Sequence, residues 1–123
     1  MVETRKSKIL IVDDDISICK ALKRPLTLDG YFVDILTAPK EVLNIHNTQK
    51  YDIIFMDTEM PLPIGYKICA ELRKQDSVVT IIGMSSEREY EKQWMDAGAT
   101  QFYHKDAITM QKDVKKILQQ YVD

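Results

Sequence analysis

Four short stretches hold the residue types that could do chemistry. Asp13-Asp14-Asp15 follows the apolar run Lys8–Val12, and Asp57 ends the run that begins at Asp52. Ser85-Ser86 follows Val78–Met84, and Lys105 follows Gln101–His104. Asp13, Asp14 and Asp57, once gathered, make a set of hard oxygen ligands. Such a set suits Mg2+, which takes few carboxylates, keeps several waters and sits beside phosphate. Two carboxylates about 5 Å apart repel by roughly 3 kcal/mol at an effective dielectric of about 20, so the cluster needs a cation. Lys105 offers a mobile ammonium and Ser85 a hydroxyl, and with a metal they could neutralise the oxygens of a phosphoryl group in transfer. Asp57 would then be the nucleophile and form an aspartyl phosphate. Each residue also has a plainer use. Asp13 to Asp15 can cap a helix, and for Asp15 that use suffices. Ser85 can cap the next helix, and Lys105 can be a surface lysine. Their joint position, each just after a different apolar run, is what favours chemistry.

The elements around them explain that position. Lys8–Val12, Tyr31–Leu36, Asp52–Asp57, Val78–Met84 and Gln101–His104 are short apolar runs of strand length, and the most apolar read as strands buried on both faces. Between them lie helical patterns. Ile16–Leu28 repeats Ile18, Leu22 and Leu26, with Pro25 predicting a kink or a frayed last turn. Asp29-Gly30 closes it, with Gly30 just past the end. Pro39 starts a second helix carrying Val42, Leu43 and Ile45, with His46 as a solvated or helix-C-terminal charge rather than a ligand near its end, and Asn47–Lys50 as loop. Tyr66–Lys74 is a third helix. Glu87–Ala97, very polar apart from Tyr90, Trp94 and Met95, is a fourth, capped by Gly98. Ala107–Val122 is a fifth. Five β-α repeats predict an α/β fold with a parallel sheet and helices on both faces. Every strand then points the same way, and Asp13, Asp14, Asp57, Ser85 and Lys105 meet at one sheet edge, where open α/β sheets bind ligands.

Bulk properties narrow the class. The 123 residues fit one domain, 1–123. Seventeen basic and nineteen acidic residues give a net charge of −2, which argues against direct nucleic-acid contact. Cys19 and Cys69 lack metal-site spacing and read as reduced core thiols. The opening MVETRKSK has no apolar stretch behind its charges, and no run approaches the ~20 residues that span a bilayer. A cytoplasmic location is expected, with no membrane partner.

ILIVDDD, IIFMD with Met60-Pro61 three residues on, IIGMSS and the Lys of FYHKD, in that order, resemble the receiver domain of two-component response regulators. The likeness spans residues 8–122. It implies the flavodoxin-like doubly wound sheet of order 2-1-3-4-5. It implies that a sensor histidine kinase or phosphotransfer protein phosphorylates Asp57. It further implies Mg2+ bound directly by Asp14, Asp57 and the backbone carbonyl of Glu59, with Asp13 acting through water. Ser85 would sense the phosphoryl group, Lys105 would pair with it, and Phe102 would be the switch aromatic, turning inward as Ser85 moves. The face of the fourth helix, fifth strand and last helix would then change shape for a partner or a second copy of the chain. Three departures stand out. Ile64-Gly65 replaces the usual Asp-Gly, Pro63 is unusual, and Asp106 replaces the proline that normally follows the lysine. Glu59 adds an acid beside the metal. Three other readings remain open: an aspartyl-nucleophile phosphatase, a flavodoxin-like carrier disfavoured by Asp13-Asp14-Asp15, and a receiver-like scaffold that is never phosphorylated.

Overall fold

The computed structural model describes residues 7–61, 64–109 and 111–121. Five strands form one parallel sheet: β1 Lys8–Val12, β2 Phe32–Leu36, β3 Ile53–Asp57, β4 Thr80–Ser85 and β5 Gln101–His104. Their order is β2-β1-β3-β4-β5, as the resemblance implies. β3 is central and buried at all five positions, which is why its sequence is a continuous apolar run.

Alternation along the strands builds two cores. Leu10, Val12, Ile54, Met56 and Ile81 face one side, against α2 (Val42–Gln49), α3 (Gly65–Gln75) and α4 (Glu91–Asp96). Ile9, Ile11, Ile53, Phe55, Ile82 and Met84 face the other, against α1 (Ile16–Leu28), α5 (Lys105–Thr109) and α6 (Gln111–Gln119). The single final helix expected over Ala107–Val122 is described as these last two segments. Met110, between them, lies outside the described residues, as do Val122 and Pro63.

α1 has the predicted bounds. Asp15 is its N-cap, accepting from the Ser17 N–H at 2.9 Å. The helix runs through Pro25 without fraying. The N–H groups of Asp29, Gly30 and Tyr31 take up the carbonyls of Pro25, Thr27 and Leu26, and Gly30 has φ 92°. The ring removes one donor, and this cap closes the turn that follows.

Four expectations are corrected. His46 is not solvated: it is buried, and its Nδ1 accepts the Tyr51 N–H at 3.2 Å. That bond leaves the proton on Nε2, which donates to Asp76 Oδ2 at 2.9 Å. The hydrogen bond from His46 holds the Asp76 carboxyl down at about 2. The helix also extends over Asn47–Gln49, closing on Lys50 at φ 55°. β4 starts at Thr80 rather than Val78, because Asp76 Oδ1 takes the N–H groups of Val78 and Val79 into a turn and leaves Val78 exposed. The fourth helix is shorter than Glu87–Ala97, with a 3-10 turn over Arg88–Tyr90 before α4. Cys19 and Cys69 are free and buried. Among the described residues no helix is long and apolar enough to cross a membrane.

Candidate functional site

β1 and β3 are neighbours in register, with Val12 beside Met56, so their next residues Asp13 and Asp57 emerge together. Asp13 and Asp57 are buried, and Asp14 is exposed beside them. One carboxylate oxygen from each of the three lies within 4.8 Å of the others. Lys105, leaving β5, reaches back over the edge. Its Nζ stands 3.0 Å from Asp13 Oδ2 and 3.1 Å from Asp57 Oδ1. Asp13 Oδ1 accepts the Asp15 N–H at 2.9 Å, while Oδ2, buried, meets the ammonium as an ion pair and no properly angled hydrogen bond. An oxygen so placed still has lone pairs to offer.

The charges are unevenly compensated. Burial, then the negative charge of Asp13, pushes the Asp57 carboxyl up to about 6, against the pull of Lys105. Burial also raises Asp13. Burial would lower Lys105, but its contacts with Asp13 and Asp57 outweigh that and raise it. The ammonium stays charged while two buried carboxylates compete for it. This electrostatic frustration is the kind that marks a functional site.

Ser85, at the end of β4, is buried. Its hydroxyl donates to Glu59 Oε1 at 3.0 Å and accepts the Glu87 N–H at 2.9 Å. The Glu59 side chain is thus engaged by Ser85, while the expectation for Glu59 as a metal ligand concerns its backbone carbonyl. Phe102 is only 7% exposed and belongs to the core on the α3–α4 side. The inward turn expected of it has no outward starting point here.

Sequence comparisons bear on what this edge belongs to. The family model of the response regulator receiver domain matches residues 9–119. The chain belongs to that family. The receiver domain is 42% identical over 81 residues to a probable transcriptional regulator ycf27 of Guillardia theta, covering 66% of this chain and 32% of that protein. It is 28% identical over 100 residues to the response regulator MprA of Mycolicibacterium vanbaalenii, covering 80% and 43%. The chain therefore spans about a third of the length of the first curated relatives it matches. Among solved structures, the chemotaxis protein CheY4 of Vibrio cholerae superposes with a TM-score of 0.86 at 27% identity, covering 94% of this chain and 98% of that one. The response regulator TrrA of Thermotoga maritima, solved with Mg2+ and beryllofluoride, gives 0.84 at 26% identity and the same coverages.

Within the receiver domain the departures acquire physical reasons. Ile64 caps α3 with no side-chain hydrogen bond. The Gly65 N–H donates to the Thr58 carbonyl at 3.0 Å, tying the first helical residue to the end of β3. Gly65 itself is required, because a Cβ there would collide with the Asp57 carbonyl oxygen. At Asp106, the N–H that a proline would lack donates to His104 Nδ1 at 3.2 Å.

Sequence reading missed two residues. Thr58 is buried directly after Asp57, and its hydroxyl donates to the Met84 carbonyl at 2.8 Å. Trp94 Nε1 donates to that same hydroxyl oxygen at 2.6 Å. The available signal was Gly83, a glycine inside a strand, which marks the close approach of a large group. The group is the Trp94 indole.

Proposed function

We propose that residues 1–123 act as one phosphoacceptor receiver domain, in which Asp57 takes a phosphoryl group from a phosphohistidine of a sensor histidine kinase or phosphotransfer protein. The observation that carries this reading is the Lys105 ammonium held between Asp13 and Asp57 at 3.0 and 3.1 Å, on the ligand-binding edge of the sheet. A structural ion pair would need one carboxylate. Two buried acids sharing one lysine leave a net negative pocket that a divalent cation would complete.

The residues fit Mg2+. Three carboxylates converge, and Asp13 Oδ2 is buried with unspent acceptor capacity. Asp14 and Asp57 would hold the ion, with the Glu59 carbonyl as a further ligand and Asp13 behind a water. Bound there, Mg2+ would supply positive charge to the phosphoryl oxygens. TrrA was solved in complex with Mg2+ and beryllofluoride, which supports the same assignment here.

The chain's own residues do the rest. An Asp57 carboxylate oxygen attacks phosphorus in line, and the phosphorus–nitrogen bond of the donor breaks. The leaving imidazole keeps the electron pair and takes up a proton. Lys105 already touches Asp57 and stands ready to pair with a phosphoryl oxygen. Ser85 would release Glu59 and donate to another. The reading is a signalling switch whose catalysis is confined to its own phosphotransfer and hydrolysis.

The test uses acetyl phosphate with Mg2+ as a small phosphodonor. One base-labile phosphoryl group per chain is expected, and Asp57→Asn abolishes it. Equal labelling of the variant would remove Asp57 from the role. Turnover of a generic phosphomonoester would favour a phosphatase instead.

A further inference from the structure

Trp94 is wholly buried although four of the six residues of its helix are polar or charged. α4 has six residues, no side-chain N-cap and only a 3-10 turn before it, so little of its own structure fixes its position. Trp94 is its buried anchor. The indole lies across Gly83 of β4 and beside Gly65 of α3, where a Cβ at either glycine would overlap it. The Tyr66 ring meets it edge-on at 6.4 Å.

The indole also has one polar atom, and its partner is specific. Nε1–H donates to Thr58 Oγ1, and the single Thr58 hydroxyl proton is already spent on the Met84 carbonyl. The chain of bonds therefore has one direction: indole to hydroxyl to carbonyl. Thr58 follows Asp57, and Met84 precedes Ser85. One side chain of α4 is thus bonded, through one hydroxyl, to the residue after Asp57 and to the end of β4 beside Ser85. Phe102 lacks such a link. It is already buried, pairs with Gly83 across the strands, and has no polar atom.

We propose that Trp94, through the Trp94–Thr58–Met84 hydrogen-bond relay, is the positioning residue that carries the state of the acceptor site to α4. The proposal rests on Asp57 being the acceptor. The Ser85 hydroxyl must leave Glu59 to meet a phosphoryl oxygen, which disturbs the end of β4 where the Met84 carbonyl lies. A buried N–H does not forgo its acceptor cheaply, and a close-packed ring has no free volume to absorb a shift. Trp94 therefore follows Thr58 and Met84, and α4 follows Trp94.

The test is hydrogen exchange by mass spectrometry over Glu91–Asp96 in the whole chain, with and without Mg2+ and beryllofluoride. Acetyl phosphate labelling of every protein is measured in parallel, and each response is normalised to the fraction loaded. The wild type should change α4 exchange at least about threefold on loading. Thr58→Ser keeps the hydroxyl and should keep that response, whereas Trp94→Phe and Thr58→Val should each retain less than a third of it. A merely structural relay would change the unloaded exchange of Trp94→Phe and Thr58→Val and leave their loaded-to-unloaded ratio alone. Full responses from both Trp94→Phe and Thr58→Val would overturn the proposal, and so would an unchanged α4 in loaded wild type. If Trp94→Phe fails to fold, the Thr58→Val and Thr58→Ser pair decides by the same ratio. A wild type that takes up neither phosphoryl group nor beryllofluoride would instead overturn the acceptor assignment beneath it.

Discussion

Asp57 is held in an environment that resists its charge, and that has a sign that can be checked. Its carboxyl sits at about 6 in the fold against an ordinary value of 3.8. The folded state thus binds the proton more tightly than the unfolded chain does. Stability from this group is greatest at acid pH and is lost as pH rises from about 3.8 through about 6. Asp13, also raised by burial, adds in the same direction. Asp76, held at about 2, acts in the opposite sense but only below its ordinary 3.8. A tenfold difference in proton affinity between the folded and unfolded states is worth about 1.4 kcal/mol. The metal-free domain should therefore melt a few degrees higher at pH 5 than at pH 7. Calorimetry of Asp57→Asn should show a much smaller difference, and saturating Mg2+ should shrink it in the wild type. An undiminished pH slope in Asp57→Asn would place the titrating group elsewhere.

At the scale of elements, β4 and α4 depend on each other through one missing side chain. Gly83 has to be small because the Trp94 ring occupies the space above it. Gly83→Ala should destabilise the domain by about 1–3 kcal/mol, the usual range for forcing atoms into a packed core. Adding Trp94→Leu to Gly83→Ala should recover part of that loss, a coupling that chemical denaturation of the four-member cycle would measure. Strict additivity would mean the ring and the glycine do not share the space. This pairing also shows where the sequence ceased to be legible. β1 and β3 could be read because strands buried on both faces are unbroken apolar runs, and α1 because its caps are local. Ser85, Lys105 and the acids could be placed because a parallel sheet sends all its strand ends to one edge. Trp94 could not be placed, since a polar helix with one large ring has no strong period and its partner, Gly83, is defined by absence. His46 was misread for a related reason. Its partners Asp76 and Tyr51 come from a later turn and from the strand approach, and no local pattern announces them. Phe102 was identified by position within the motif, and position alone does not say which way a ring points.

On the scale of the whole molecule, the sheet separates two sets of surfaces. The edge holding Asp13, Asp57 and Lys105 collects the charges, and the edge strand β5 carries a flank with α4 on one face of the sheet and α5 and α6 on the other. On the proposed function, a phosphoryl group would add a charge of about −1.5 to −2 at the charged edge. On that same reading it can shift the flank only as far as it is bound differently by the two shapes, and Ser85 would be the group that makes that difference. In the resting molecule the Ser85 hydroxyl is committed to Glu59, an exposed acid that can swing away. The chain spans about a third of the length of the first curated relatives it matches. A second copy on the flank can be tested with this chain alone. Sedimentation with Mg2+ and beryllofluoride should move the wild type toward dimer relative to the untreated protein. Ser85→Ala lacks the hydroxyl that makes the two shapes differ in affinity, so its dimer fraction should stay near the untreated value at equal loading, with labelling assayed alongside. Glu59→Gln keeps the size of the side chain but weakens its hold on the Ser85 hydroxyl, and should reach half-maximal dimer at lower beryllofluoride. If Ser85→Ala associates as fully as the wild type, the hydroxyl is not the group that converts charge into shape, and the signal leaves the site by another route.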